Sequence, residues 1–161
     1  TPSTPAERKT MGDGLEANVQ QLYDYVHGAD FTKALEGQGV AGLSNGAIGL
    51  LDEVAKSKIT GEEDWWSGTD LYDFAANVEG SKLAFSLVKD FAVSQGASGK
   101  DLAARIDKGY TDLEAKLATY GSLEKGFPAY STLTEADRRD LTNLINALAE
   151  PLSRLTSTIL E

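Results

Sequence analysis

Apolar residues recur at three- and four-residue steps in five separate stretches of this chain, and that spacing fits the 3.6-residue period of an α-helix. In the first stretch Met11, Leu15, Val19, Leu22 and Val26 share one stripe, with Gly12 and Gly14 weakening its opening turn. The second, from about Val40 to Lys56, places Val40, Leu43, Ala47, Leu50, Leu51 and Val54 on one face. It also carries Gly42, Gly46 and Gly49, each costing up to ~1 kcal/mol against alanine, so helix packing must hold it. The third begins at Thr69 as N-cap and runs to about Ser94, with Leu71, Phe74, Val78, Phe85, Val88 and Ala92 inward.

The fourth stretch opens with Ser98 three residues before Asp101, a capping-box spacing, and continues through Leu102, Ile106, Tyr110, Leu113 and Leu117 until Gly121 stops it. The fifth repeats the device with Thr134 and Asp137, then sets Leu141, Leu144, Ile145, Leu148, Leu152, Leu155 and Ile159 on one side. Pro151 should kink it, because proline removes an amide donor and crowds the preceding turn. No stretch alternates apolar and polar residues with β-branched enrichment, so no sheet is expected. Two connections are long, Ser57 to Gly68 and Ser122 to Leu133; the others are short, which favours antiparallel neighbours. The predicted fold is all-α, an antiparallel up-and-down bundle of four to five helices forming one domain over residues 1–161, with residues 1–6 a flexible end.

At 161 residues such a bundle can bury roughly 70% of the surface its unfolded chain exposes, and it needs no staples. Cysteine is absent, which excludes disulfides, thiolate metal sites and cysteine nucleophiles. The net charge of −10 argues against nucleic-acid or anionic-membrane partners, since phosphate neutralisation needs clustered Lys and Arg. No stretch approaches the ~18 uninterrupted apolar residues of a membrane-spanning helix, and no basic-then-apolar signal peptide is present. The opening Thr1-Pro2-Ser3-Thr4-Pro5 reads as the end of a processed or dissected protein, or as cloning design.

Catalytic constellations are sparse. The one histidine, His27, lies at the end of the first helix, and a lone histidine is more often structural or solvated than a ligand. No Ser-His-Asp set and no phosphate-binding glycine loop can be argued. The richest segment is Thr60 to Asp73, where Glu62, Glu63, Asp64, Asp70 and Asp73 put five carboxylates in twelve positions with no Lys or Arg among them. Clustered hard oxygens repel one another unless a cation or water separates them. The plainer account is also open: acids suit a helix N-terminus, and surface loops are often acidic. Trp65 and Trp66 can likewise stack on a ligand, dock a partner, or cover the end of the core.

At these residues the chain resembles a known family. Asn45-Gly46-Ala47, Leu50-Leu51-Asp52-Glu53-Val54, Lys58-Ile59-Thr60-Gly61-Glu62-Glu63-Asp64, Thr69-Asp70-Leu71-Tyr72-Asp73-Phe74 and Ala76-Asn77-Val78-Glu79-Gly80 are similar, in this order, to the imelysin family and to its EfeO-like members. Leu133 to Arg138 and Ala147 to Ser153 resemble that family's C-terminal helix, so the likeness spans roughly Gly39 to Glu161. Two features depart from it. The family's His-x-x-Glu does not occur, since Gly28, Ala29 and Asp30 follow His27; and Ser67-Gly68-Thr69-Asp70 stands where the family reads Ser-His-Thr-Asp.

The resemblance implies the C-terminal half of a two-bundle protein, excised or stand-alone, exported to the periplasm, the cell surface or an equivalent lumen. It implies binding of iron or another divalent cation, and partners among the other components of an iron-uptake system. Glu63 and Asp70 are then the first-choice ligands and Glu62, Asp64 and Asp73 the second, with Trp65 and Trp66 as partner or ligand contacts. The family's peptidase label is not expected to apply, because the chain offers no metal with an open position and no nucleophile with its base. The alternative is a structural or docking subunit of a larger assembly that kept the bundle and lost the metal site. Polysaccharide binding by the tryptophans is a third possibility.

Overall fold

The computed structural model describes residues 2–56, 58–61 and 64–160. Their helices are α1 (Pro5–Val26), α2 (Ala29–Lys56), α3 (Asp70–Ser94), α4 (Ala97–Ala118), α5 (Glu135–Leu152) and α6 (Leu155–Leu160), with 3-10 turns at Lys58–Thr60 and Tyr130–Thr132. Among the described residues there is no strand, only an isolated bridge between Ser122 and Gly126. The all-α fold is therefore as the periodicity predicts.

The chain divides into two compact units, residues 1–39 and 40–161. The boundary is a break inside α2, where Gly39 takes φ 60° and ψ −160°. In the first unit α1 starts at Pro5, within the expected flexible end, because Thr4 and Glu7 form a capping box: the Thr4 hydroxyl accepts from the Glu7 N–H and the Glu7 carboxylate from the Thr4 N–H. His27 caps the other end, its ring stacked on Tyr23 at 4.1 Å with Nδ1 2.8 Å from the Tyr23 carbonyl. Tyr25 meets Phe31 edge-on at 5.4 Å. The stripe of Met11, Leu15, Val19 and Leu22 forms as predicted, yet α1 buries no residue. Residues 29–38, which lie outside the five predicted stretches, are helical as well.

The second unit is the bundle. The part of α2 from Val40, with α3, α4 and α5, surrounds a core that includes Leu51, Val54, Leu71, Phe74, Val78, Phe85, Ile106, Tyr110, Leu113, Leu141, Ile145 and Leu148. Contacts between helices fix their directions. Ser81 reaches the Ala47 carbonyl while Asn77, one turn earlier on α3, reaches that of Leu50, so α2 and α3 run oppositely. Lys82 pairs with Glu114 and Lys89 with Asp107 between α3 and α4. Arg105 pairs with Glu150, and Lys116 with Asp137 and Asp140, between α4 and α5. Each sequence descends as the other climbs, which makes the bundle antiparallel and up-and-down. These pairs are half exposed and set register more than stability.

Three helix ends differ from their sequence signals. The Thr134–Asp137 capping box forms, but α4 begins at Ala97 behind Gly96, so Ser98 lies within the first turn and caps nothing. Thr69 is at the N-cap of α3 but makes no cap hydrogen bond, because its hydroxyl is used elsewhere. Pro151 sits inside α5, and the chain turns at Ser153 and Arg154 before α6 rather than bending within one long helix. Ser44 on α2 then meets Thr156 on α6 at 2.6 Å, tying the chain's end to the bundle.

Candidate functional site

Three parts of the chain meet beside the N-terminus of α3: the loop residues 60–61 and 64–69, the turn around Tyr130, and Arg138 on the first turn of α5. Tyr130 organises them. It is buried, its hydroxyl donates to the Ile59 carbonyl at 2.5 Å, and its N–H donates to the Gly68 carbonyl at 2.9 Å. Burial holds its phenol proton more firmly than usual; Arg138 opposes that effect and Asp70 adds to it. Its ring also lies against Gly61, where a Cβ would fall 2.3 Å from the Tyr130 Cδ1, so only glycine lets the loop close this tightly.

The loop is laced by short bonds. Gly68 N–H returns to the Asp64 carbonyl at 2.7 Å. The Thr69 hydroxyl donates to the Asp64 carboxylate at 2.9 Å, which is why it does not cap α3, and Ser67 lies 2.8 Å from the same hydroxyl. The Asp64 N–H in turn donates to Asp70 Oδ1 at 3.1 Å. Asp70 is 1% exposed, and its other carboxylate oxygen, Oδ2, is buried with no hydrogen-bond partner. A buried carboxylate oxygen left without a donor carries a desolvation penalty of about 1–3 kcal/mol or more, so such oxygens are rare unless something meets them.

Asp64, Trp65, Trp66, Asp70, Tyr130 and Arg138 line one open cleft of about 460 Å³. The indoles meet edge-on at 4.6 Å, and Trp65 is 69% and Trp66 91% exposed, so neither covers the core. Of the predicted ligands the fold thus brings Asp64 and Asp70 together. Asp73, one turn further along α3, is half-buried and does not line the cleft. Glu62 and Glu63 lie outside the described residues. Among the described residues no three His, Cys, Asp or Glu side chains gather closely enough to hold a metal ion by themselves. No helical or turn spacing links Tyr130 or Arg138 to Asp70, so neither is legible as a site residue before folding joins them.

The sequence matches the imelysin family over residues 5–155. The chain belongs to the imelysin family. Its likeness to that family therefore reaches well before Gly39, the start expected from motifs alone. Among imelysin-family relatives, the proteins called "Iron uptake system component EfeO" in Escherichia coli K12, Shigella flexneri and Shigella sonnei Ss046 are each 37% identical over 159 residues, covering 95% of this chain. The chain spans 41% of the length of those relatives.

Proposed function

We propose that this imelysin domain binds a divalent cation, iron first, in the cleft beside α3, and serves an iron-uptake system outside the cytoplasm without catalysing a reaction. One observation supports this most: Asp70, whose Oδ2 is buried and unpartnered, lines an open cleft together with Asp64. A cation there would supply what no hydrogen-bond donor does. Asp64 is the second ligand, and water can complete the six to eight oxygens that hard cations take. The name carried by relatives covering 95% of the chain favours iron among the divalent ions.

Calorimetric titration with ferrous ion under anaerobic conditions, and with zinc and calcium, tests this. Binding tighter than ~1 mM that weakens at least tenfold in Asp70→Asn is the expected result. Failure of every ion to bind below ~1 mM, with Asp70→Asn and Glu63→Gln both silent, would overturn it.

The docking alternative draws on one specific feature, the two exposed indoles of Trp65 and Trp66 at the cleft's rim, since exposed tryptophans recur at interface hot spots. Co-purification from the native source with a larger assembly, lost on Trp65→Ala with Trp66→Ala and unaffected by chelation, would favour it over cation binding.

A further inference from the structure

The cleft is also lined by a charge of the opposite sign, that of Arg138. Lys82, Lys89, Arg105, Lys116, Arg139 and Arg154 all reach carboxylates. Arg138 reaches none within 4.0 Å among the described residues, although acids outnumber bases 25 to 15 in this chain. Its Nε is buried without an acceptor, and its guanidinium lies 5.4 Å from the centre of the Tyr130 ring. Arg138 and Asp70 therefore line one cleft, each with one buried side-chain atom that lacks a hydrogen-bond partner, and they form no ion pair with each other. The cleft they line, about 460 Å³ in all, is larger than one water, whose share of liquid volume is about 30 Å³.

Each charge makes the other's ligand harder to bind alone. A cation arriving at Asp70 is repelled by Arg138, and an anion arriving at Arg138 is repelled by Asp70; arriving together, the two ligands screen each other. Guanidinium is moreover shaped to hold a carboxylate-like oxyanion by two parallel N–H bonds. We infer that the cleft binds its cation jointly with a small carboxylate or carbonate-type oxyanion, the cation on Asp70 and the anion on Arg138. This rests on Asp70 being a cation ligand. The coupling is reciprocal, as any linkage between two sites must be.

The test is ferrous-ion titration of the full chain in chloride, acetate or bicarbonate at one ionic strength and pH, with each salt's own iron complexation subtracted. In the wild type, acetate or bicarbonate is expected to tighten binding about tenfold over chloride. In Arg138→Gln that gain disappears, while binding in chloride stays equal or strengthens because a repelling charge is gone. Arg138→Lys, which keeps the charge but not the fork, retains a reduced gain. A merely structural arginine would instead weaken binding in every salt when replaced, and that pattern overturns the inference. Equal wild-type affinity in all three salts overturns it too, while leaving Asp70 as a cation ligand. Absence of wild-type binding in any salt overturns both together.

Discussion

The Ser81 hydroxyl and the Tyr110 phenol meet 2.6 Å apart in the middle of the bundle, joining α3 to α4. Ser81 also reaches the Ala47 carbonyl on α2 at 2.6 Å, and a carbonyl can only accept, so Ser81 donates to it and Tyr110 donates to Ser81. Three helices are thereby pinned at one level of an otherwise apolar core. Burial pushes the Tyr110 phenol up to about 12, which keeps it neutral and a donor.

The direction of donation makes the two deletions unequal. Tyr110→Phe removes a donor and leaves Ser81 bonded to Ala47, which should cost about 1 kcal/mol. Ser81→Ala strands the phenol in the core with no acceptor and should cost about 1–3 kcal/mol. Urea denaturation of both variants checks the order; a larger loss in Tyr110→Phe would refute this pattern of donation.

Acid should loosen the start of α5. The Asp137 carboxyl is held well below the usual carboxylate range, first by the Thr134 hydroxyl and then by the Tyr120 hydroxyl, with the Thr134 N–H and Lys116 assisting. Its ordinary value is about 3.9 in the unfolded chain. A depressed folded value contributes stability in full above the unfolded one, and that contribution fades as pH falls from about 4 toward the folded one. Asp137→Asn should therefore lower the thermal midpoint by a constant amount between about pH 5 and 7. The gap from wild type should narrow as the pH is taken below about 4. A gap that is constant down to pH ~2 would show that the carboxylate's charge is not what matters.

Periodicity made the bundle legible because each core helix repeats its apolar residues every turn. The inward positions Leu71, Phe74, Val78, Phe85, Val88 and Ala92 on α3, and Leu102, Ile106, Tyr110, Leu113 and Leu117 on α4, are all buried. Caps were less legible, because a hydroxyl near a helix start has competing partners: Thr134 finds Asp137, whereas Thr69 turns to Asp64. The acidic loop stood out by composition, but composition could not say that Asp70 would be buried and Asp73 turned out of the cleft. Arg138 was invisible as a site residue, since its role depends on α5 returning beside the start of α3.

The exposed indoles allow a clean separation of stability from recognition. Neither Trp65 nor Trp66 is buried, so Trp65→Ala and Trp66→Ala should each change unfolding free energy by no more than about 0.5 kcal/mol. Intrinsic fluorescence of the remaining tryptophan should respond to a bound cation or partner at the cleft. A loss of several kcal/mol in either variant would mean that the ring packs against the fold in solution.

Gly68 offers the sharpest test of why the site differs from the family's pattern. It sits at φ +67°, immediately before the buried acid's helix, and a Cβ there would meet only the Ala129 Cβ at 3.8 Å. A Cβ therefore meets no clash, and the obstacle at this position is backbone strain, which for a non-glycine residue in this region is of order 1–3 kcal/mol. Histidine tolerates left-handed backbone better than most residues. Gly68→His should accordingly lower the thermal midpoint while adding an imidazole two residues from Asp70, and it should tighten zinc or ferrous binding by about tenfold or more. The gain should vanish in the double variant with Asp70→Asn, because the two groups would act on one ion. Stability lost without any gain in affinity, in a variant that still folds, would mean that Gly68 and Asp70 do not address a common ligand.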